Sequence, residues 1–483
     1  MKLPTFSIGG VHPHDSKISR ECRIEPMALP ETAYIAVAQH IGAPAKPLVA
    51  VGDKVKVGQP IAEPGGFVSA FIHASVSGTV KSIGPRADLA GNPVMTIEIA
   101  REGDEWLEGI DTSDTLITEF ADDNKALLEK IKLGGIVGLG GATFPTHVKL
   151  SPPPGSKCER LIINGCECEP YLTSDFRVLL EKGEQVIVGA AILKQVLGGV
   201  PCTVAIEENK PEAIAHINEV IAKLQKLSPK YNGIEVMTMK MRYPQGGEKQ
   251  LIDAVMHRQV GSGALPISVG AVVQNVGTAL AVYDMVIKNK PLIDNTVTVT
   301  GECFPKQANL LVRVGTPLRS ILDYLGGIPD EAVKVISGGP MMGKAVANLD
   351  AATLKGTGAL LLLTEKQTAR KEEGPCIRCG KCAEACPMGL EPFLLQKLSR
   401  KGDVEALEAN AAQDCIECGC CLYSCPANIP LLDIIRLGKA DAMKAIRDRA
   451  AAAKAAAEAA KAATDAAKAA TVIPSASEES VKK

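Results

Sequence analysis

Cys376-Ile-Arg-Cys-Gly-Lys-Cys-Ala-Glu-Ala-Cys-Pro387 and Cys415-Ile-Glu-Cys-Gly-Cys-Cys-Leu-Tyr-Ser-Cys-Pro426 share one spacing, C-x2-C-x2-C-x3-C-P. Three thiolates this close together on one loop can reach three irons of a [4Fe–4S] cube, while the fourth, turned away before the proline, ligates the neighbouring cube. The spacing therefore predicts two cubes with crossed ligands: Cys376, Cys379, Cys382 and Cys425 on one, and Cys415, Cys418, Cys421 and Cys386 on the other. Zinc also takes paired C-x2-C thiolates, but its four ligands would leave the third cysteine of each run without a task. Gly380 and Gly419 each follow a second ligand, where a missing side chain lets backbone N–H groups approach the sulfurs. Cys420 stands between two ligands and reads as a bystander, because its run already supplies four thiolates.

Outward from the cysteines, 483 residues exceed what one core can organise; at roughly 100–200 residues per domain the chain holds three to five. Hydrophobic content of 46% and charged content of 22% are those of a globular protein. A formal charge of −2 and 3% aromatics provide neither the basic field nor the stacking platforms of a nucleic-acid binder. The most apolar long stretch, Ile267 to Ile287, is broken by Gln274, Asn275 and Asp284, so no membrane span is expected. Met1-Lys-Leu-Pro-Thr5 lacks the pattern of a signal peptide, which points to the cytoplasm. In that reducing compartment the 15 cysteines read as metal ligands plus buried thiols.

Between Val49 and Gly84 short β-branched runs alternate with turns, as in Val51-Gly-Asp-Lys-Val-Lys-Val-Gly-Gln-Pro-Ile61 and Ser75-Val-Ser-Gly-Thr-Val80. This stretch resembles the biotinyl/lipoyl barrel-sandwich fold. Glu63-Pro-Gly-Gly-Phe-Val-Ser69, however, has no carrier lysine, so the domain is expected to be structural. From about 115 to 290 strands and helices alternate. Leu161-Ile-Ile-Asn164 and Thr203-Val-Ala-Ile206 read as strands, and Pro211 opens a helix with Ile214, Ile217, Ile221 and Leu224 on one face. That order predicts a parallel sheet covered by helices, with ligands at the carboxyl ends of its strands.

Gly134-Gly-Ile-Val-Gly-Leu-Gly-Gly-Ala-Thr-Phe-Pro-Thr-His-Val-Lys149 offers backbone N–H groups and one lysine to an anionic phosphate, or else forms only a tight turn. Asn164-Gly-Cys-Glu-Cys-Glu-Pro170 follows a strand directly, where carboxylates and an amide can meet a bound ring system; the bland alternative is an acidic surface loop. Cys166-x-Cys168 is too little for a metal site, and His12 and His14 read as parts of a turn. Asn295-Thr-Val-Thr-Val-Thr-Gly301, Leu310-Leu-Val-Arg-Val314 and the helical Leu318–Leu325 suggest a small β-grasp-like unit. Between the cysteine runs, Leu390–Leu398 and Asp403–Ala409 have helical character. Residues 450–471, mostly alanine with Lys454, Lys461 and Lys468 spaced along them, read as a solvated helix before a disordered Ser/Glu-rich end.

Taken together, Gly9-Gly-Val-His-Pro13, the barrel-sandwich stretch, the α/β segment, the β-grasp unit and the double cysteine run resemble the C subunit of the Rnf ion-translocating electron-transport complex from about residue 5 to 440. The middle also resembles the flavin subunit of respiratory complex I. The resemblance implies an N-terminal segment and barrel-sandwich hybrid over 1–110, a Rossmann-like FMN/NADH domain over 111–290 and a β-grasp, SLBB-like domain over 291–368. It further implies an α-helical 2[4Fe–4S] ferredoxin module over 369–440 and an Ala-rich tail over 441–483. It places Gly138, Gly140, Gly141 and Lys149 near the FMN phosphate, Asn164, Glu167 and Glu169 by the ring and ribityl side, and Glu248 and Asn275 closing the site. Three positions depart from the flavin subunit: Cys166 stands where it has aspartate, Gly247 replaces one of two glutamates, and Gln274 replaces an asparagine.

The implied activity is NADH oxidation through FMN and the two clusters. Electrons pass to integral-membrane and ferredoxin-like subunits on the cytoplasmic face of the bacterial membrane, where ion transport is driven. No side chain need act as acid or base. Two other readings share parts of the pattern: a soluble cobalamin reductase, which begins near the glycine loop, and a non-redox scaffold like the A subunit of the sodium-pumping quinone reductase, which lacks the cysteine runs. Anaerobic reconstitution should load about eight irons per chain, the content of two cubes. Cys386→Ser and Cys425→Ser should each damage the EPR signal of the cube held mainly by the opposite run. Four irons or fewer would remove the second cube, and damage confined to the mutated run would remove the crossing.

Overall fold

The computed structural model describes residues 2–471. The strands Arg160–Gly165, Cys202–Glu207, Ile234–Met239 and Ala271–Asn275 form a four-stranded sheet in which all three neighbour pairs are parallel. A parallel sheet is buried on both faces, and Cys202–Glu207 is buried at every position, which explains its unbroken apolar run. Alternate residues serve opposite layers. Leu161, Ile163, Val204 and Val272 pack beneath the helices Gly183–Val196, Pro211–Leu227 and Val276–Lys288, while Ile162, Ala205 and Val273 pack beneath Glu248–Met256. Pro at the first turn opens Pro211–Leu227, and Ile217, Ile221 and Leu224 are buried along one face. Gly183–Val196 and Val276–Lys288 run close together at Gly189, where a Cβ would collide with the carbonyl of Ala279.

Before this unit, the strands Thr32–Ala36, Pro93–Arg101, Gly78–Ala87 and Lys54–Val55 form one antiparallel sheet, and Lys46–Pro47, Pro60–Glu63 and Ile72–His73 a second. Their shared core is Ile35, Ile61, Ile72, Val80, Ile97 and Ile99. After the parallel unit comes a mixed six-stranded sheet. It contains Asp294–Thr300, Ala308–Arg313, Ala332–Ser337 and Ala359–Thr364, with Leu318–Tyr324 as its helix. Its edge strand, Ile24–Pro26, comes from the start of the chain and pairs parallel with Asn309–Leu311.

The cysteine runs are embedded in short helices. Pro392–Lys401, Val404–Ala409 and the first turns of the 41-residue helix Leu431–Thr471 close around Leu395, Leu407, Leu431, Ile435 and Ala442. Beyond that core, every side chain from 451 to 464 is exposed. The Ser/Glu-rich end expected after this helix lies outside the described residues.

Buried polar contacts join these units. Lys355 is 1% exposed, and its ammonium donates to the carbonyls of Phe71 and Gly135, both at 2.7 Å. One side chain thereby ties the first sheets to the glycine loop and to the six-stranded unit. The N-terminal arm crosses all of them. Val11 bridges to Tyr243, the Gly10 N–H donates to the Ala385 carbonyl at 2.9 Å, and the Arg242 guanidinium donates to Phe6 O at 2.8 Å while lying over its ring.

Candidate cofactor sites

The carboxyl edge of the parallel sheet gathers seven of the nine residues singled out for FMN. Asn275 ends its strand in register with Asn164, the last residue but one of the neighbouring strand. Asn275 caps the helix Val276–Lys288 by accepting from the Gly277 N–H at 2.7 Å, and its amide donates to Asp175 at 2.7 Å. The glycine loop lies on this asparagine. Gly140 has φ +73, and a Cβ there would sit 2.8 Å from the Asn275 amide nitrogen, while Gly141 faces open space. The Gly138 N–H donates to Phe144 O at 2.8 Å and closes the loop. Lys149, on the turn Thr146–Lys149, donates to Val273 O at 3.2 Å and pairs with Glu248 at 2.6 Å. Asn164 donates to Gly246 O at 2.8 Å, which fixes the loop that leads into Glu248.

Two buried amides at this edge test whether the residues suit a polar cofactor. Gln245 and Gln274 are 0% and 2% exposed, and both side-chain polar atoms of each lack a hydrogen-bond partner. An unpaired buried amide is costly, so such groups mark where a polar molecule is received. With a lysine and a glycine loop for the phosphate, the donor set fits FMN.

Glu167 and Glu169 point elsewhere. Glu167, at φ +40, turns back to accept from the Asp175 and Phe176 N–H groups at 2.7 and 3.3 Å, and so caps the helix Ser174–Glu181. Burial, and then the Glu167 charge, pushes the neighbouring Asp175 carboxyl up to about 7. Glu169 crosses to the six-stranded unit, accepting from the Met342 N–H at 2.7 Å and the Met341 N–H at 3.1 Å. Gly339 must lack a side chain there, because a Cβ would collide with that carboxylate. Burial raises Glu169 to about 7.

Lys17, from the N-terminal arm, spans the same loop by donating to the carbonyls of Glu167, Glu169 and Leu172 at 2.8, 2.8 and 2.6 Å. His12 lines a small cavity with Lys17, Glu167, Cys168 and Glu207. Neither Lys17 nor the turn Ser337–Gly343 stood out in the sequence. Only the repeated glycines of that turn could have signalled a close backbone approach.

Part of each cysteine run lies beside the other run. Cys386, from the first run, lines one small cavity together with Cys415, Cys418, Cys420 and Cys421 of the second. Cys382, from the first run, and Cys425, from the second, pack against the same apolar cluster. Among the described residues no three His, Cys, Asp or Glu groups converge as they would on a single ion. Eight thiols in two C-x2-C-x2-C-x3-C-P runs are instead the donor set of [4Fe–4S] clusters.

One set abuts the parallel unit. The Tyr243 hydroxyl donates to Cys418 O at 2.8 Å, Gln250 donates to Pro387 O at 3.2 Å, and Cys168, Tyr243, Val11, Ile416, Cys418 and Cys420 share one apolar cluster. In the other set, Cys376 and Cys379 are exposed.

A flavin-type sheet edge set against a double cluster module defines an iron–sulfur flavoprotein of the electron-transfer class. Residues 5–104 match the RnfC barrel sandwich hybrid domain, 131–284 the Nuo51 FMN-binding domain, 296–345 the SLBB domain and 368–454 the 4Fe-4S dicluster domain. The C subunit of the proton-translocating ferredoxin:NAD(+) oxidoreductase complex of Clostridium ljungdahlii is 45% identical over 81% of this chain and 84% of its own. Its Na(+)-translocating counterpart from Acetobacterium woodii is 40% identical over 91% and 97%. The C subunit of the ion-translocating oxidoreductase complex of Rhodobacter capsulatus is 40% identical over 90% and 83%. The chain belongs to this family, the C subunits of the Rnf complexes.

Glu169 provides a test of the joint. Its native carboxyl, raised to about 7 from an ordinary 4.5, keeps a proton through a window in which the unfolded chain has lost it. Its contribution therefore favours the native state at the acid end, and that advantage fades as pH rises to 7. Glu169→Gln should flatten the pH dependence of the melting temperature between about pH 5 and 7. An unchanged slope would place the titration elsewhere.

Proposed function

We propose that this chain is the peripheral electron-input subunit of a membrane-bound, ion-translocating oxidoreductase complex, exchanging electrons among NADH, FMN, two [4Fe–4S] clusters and partner subunits. The observation that carries this reading is the contact of the Cys386, Cys415, Cys418 and Cys421 set with the flavin unit through Tyr243 and Cys168. Bound FMN converts two-electron exchange with a nicotinamide into the one-electron exchange that the clusters sustain.

The residues' tasks follow from their positions. Gly138, Gly140, Gly141 and Lys149 receive the FMN phosphate, and Glu248 orients Lys149 through their 2.6 Å pair. Asn164 and Asn275 hold the sheet edge, with Gln245 and Gln274 offering amides to the cofactor. Glu167 and Glu169 act indirectly, the first by capping Ser174–Glu181 and the second by fixing the flavin unit to the Met341 turn. Tyr243 and Gln250 hold the inner cysteine set against this edge, while Cys376, Cys379, Cys382 and Cys425 form the outer set that faces partners.

In domain terms we assign 1–110 to an N-terminal segment and the barrel-sandwich hybrid, 111–290 to a Rossmann-like FMN/NADH domain, 291–368 to a β-grasp SLBB-like domain, 369–440 to the cluster module and 441–483 to the tail. No helix among the described residues is long and apolar enough to cross a membrane. We assign its attachment to integral-membrane and ferredoxin-like subunits on the cytoplasmic face. The match of residues 5–104 to the RnfC barrel sandwich favours this reading above a soluble cobalamin reductase, and the eight run cysteines favour it above a redox-silent scaffold.

Acid extraction should release FMN, and anaerobic NADH should bleach the bound flavin and raise cluster EPR signals. Flavin that stays oxidised would reject NADH as donor, and protein that takes up no FMN would remove the site. Lys149→Ala should weaken FMN by about 1–3 kcal/mol, the scale of a lost charge-assisted hydrogen bond.

A further inference from the structure

The two cysteine runs are one backbone used twice. Arg378 and Glu417 occupy the same left-handed position at φ 56 and 57, and Gly380 and Gly419, both at φ 78, open the matching short helices Lys381–Glu384 and Cys420–Tyr423. Their surroundings differ. In the second run Ile416 packs with Tyr243 and Val11, Cys420 is 0% exposed, and Gly419 lies against the Met341 carbonyl. Glu417 there is bonded to Arg436 at 2.9 Å and Lys439 at 2.8 Å. In the first run every equivalent group faces solvent: Cys376 and Cys379 are exposed, Ile377 is 65% exposed, and among the described residues Arg378 and Lys381 have no ion-pair partner.

The structure thus contains a worked example of how such a face is covered when a redox unit docks on it. On the covered face the polar positions are an internally paired glutamate and a buried thiol; on the open face they are two unpaired cations beside one apolar knob. An apolar centre with a charged rim is the usual anatomy of a transient interface, and its sign selects the partner.

We propose that Ile377, Arg378 and Lys381 form the docking face for an acidic, one-electron carrier domain of a partner subunit, which meets the outer cluster as the flavin unit meets the inner one. The proposal rests on the electron-transfer reading above. The partner's acidic rim steers it to the two cations, and Ile377 seats in its apolar centre beside the ligands Cys376 and Cys379. Two cations on one short loop are too few to bind an anionic bilayer firmly, at about 1 kcal/mol per basic residue.

The test uses the full chain loaded with FMN and both clusters, reduced chemically, freed of excess reductant and mixed anaerobically with oxidised cytochrome b5 as an acidic probe. Basic cytochrome c is the control of opposite sign. Wild-type transfer to cytochrome b5 should slow as ionic strength rises, a result that needs no variant. Arg378→Glu with Lys381→Glu should slow transfer to cytochrome b5 at least tenfold at low salt and speed transfer to cytochrome c, with iron content and EPR spectra unchanged. Lys381→Gln alone should move both rates in the same directions by a smaller factor, and remains informative if the double variant loses its outer cluster. Ile377→Ser should slow both carriers and leave the salt dependence intact.

Charge variants with an unaltered cytochrome b5 rate, or equal slowing of both cytochromes, would overturn the docking face. Loss of sedimentation with phosphatidylserine vesicles in the charge variants would reassign it to lipid. A reduced chain that passes electrons to neither cytochrome would instead sink the electron-transfer reading itself.

Discussion

The Tyr243 hydroxyl donates to the Cys418 carbonyl across the boundary between a parallel sheet and a cluster loop, from a side chain only 2% exposed. Electron exchange depends on holding two cofactors at a constant separation, so a sliding interface would defeat it. A buried hydrogen bond has no water to exchange with, and breaking it leaves both groups unpaired, which makes this contact stiff as well as specific. Around it the Gly10–Ala385, Gln250–Pro387 and Glu169–Met342 bonds draw the arm, the flavin unit, the six-stranded unit and the cluster module onto one line.

That joint also explains why a duplicated loop lost its symmetry. Both copies keep the cysteine spacing, the left-handed residue and the left-handed glycine. The substitutions fall at positions that face outward from each loop. Cys420, small and apolar, fits beneath Tyr243 where the long cation found at Lys381 would be buried without a partner. Glu417 is answered within its own module by Arg436 and Lys439, on the helix that packs behind it.

Much of this arrangement was legible in the sequence because it is local. The cysteine spacing, the apolar strands at 160–165 and 202–207 and the proline-led helix at 211–227 each announce themselves within a dozen residues. Position directly after a strand marked Asn164, Glu167 and Glu169 alike as candidates for the ligand edge. The loop separates them, because Glu167 adopts a left-handed conformation that turns it onto the helix opening at Ser174, and Glu169 finds amides 172 and 173 residues away. Nothing nearby in the chain records such partners. Lys355 is hidden for the same reason: a lysine in a Thr/Gly-rich stretch looks like a surface residue until three separate units close over it.

The N-terminal arm has a consequence for the order in which the molecule matures. Its partners lie so far along the chain that its contacts can form only after most of the sequence has been made. Phe6 waits for Arg242, 236 residues on, Ile24 waits for Asn309, and Gly10 waits for Ala385, inside the first cysteine run. The Gly10 bond, and the close approach of Gly9 to Cys386, form only on a cluster loop that already holds its final shape. Seating of the arm is thus a late event that depends on the shape of the first cysteine run, and any distortion of that run deprives the arm of its anchors at Ala385 and Cys386.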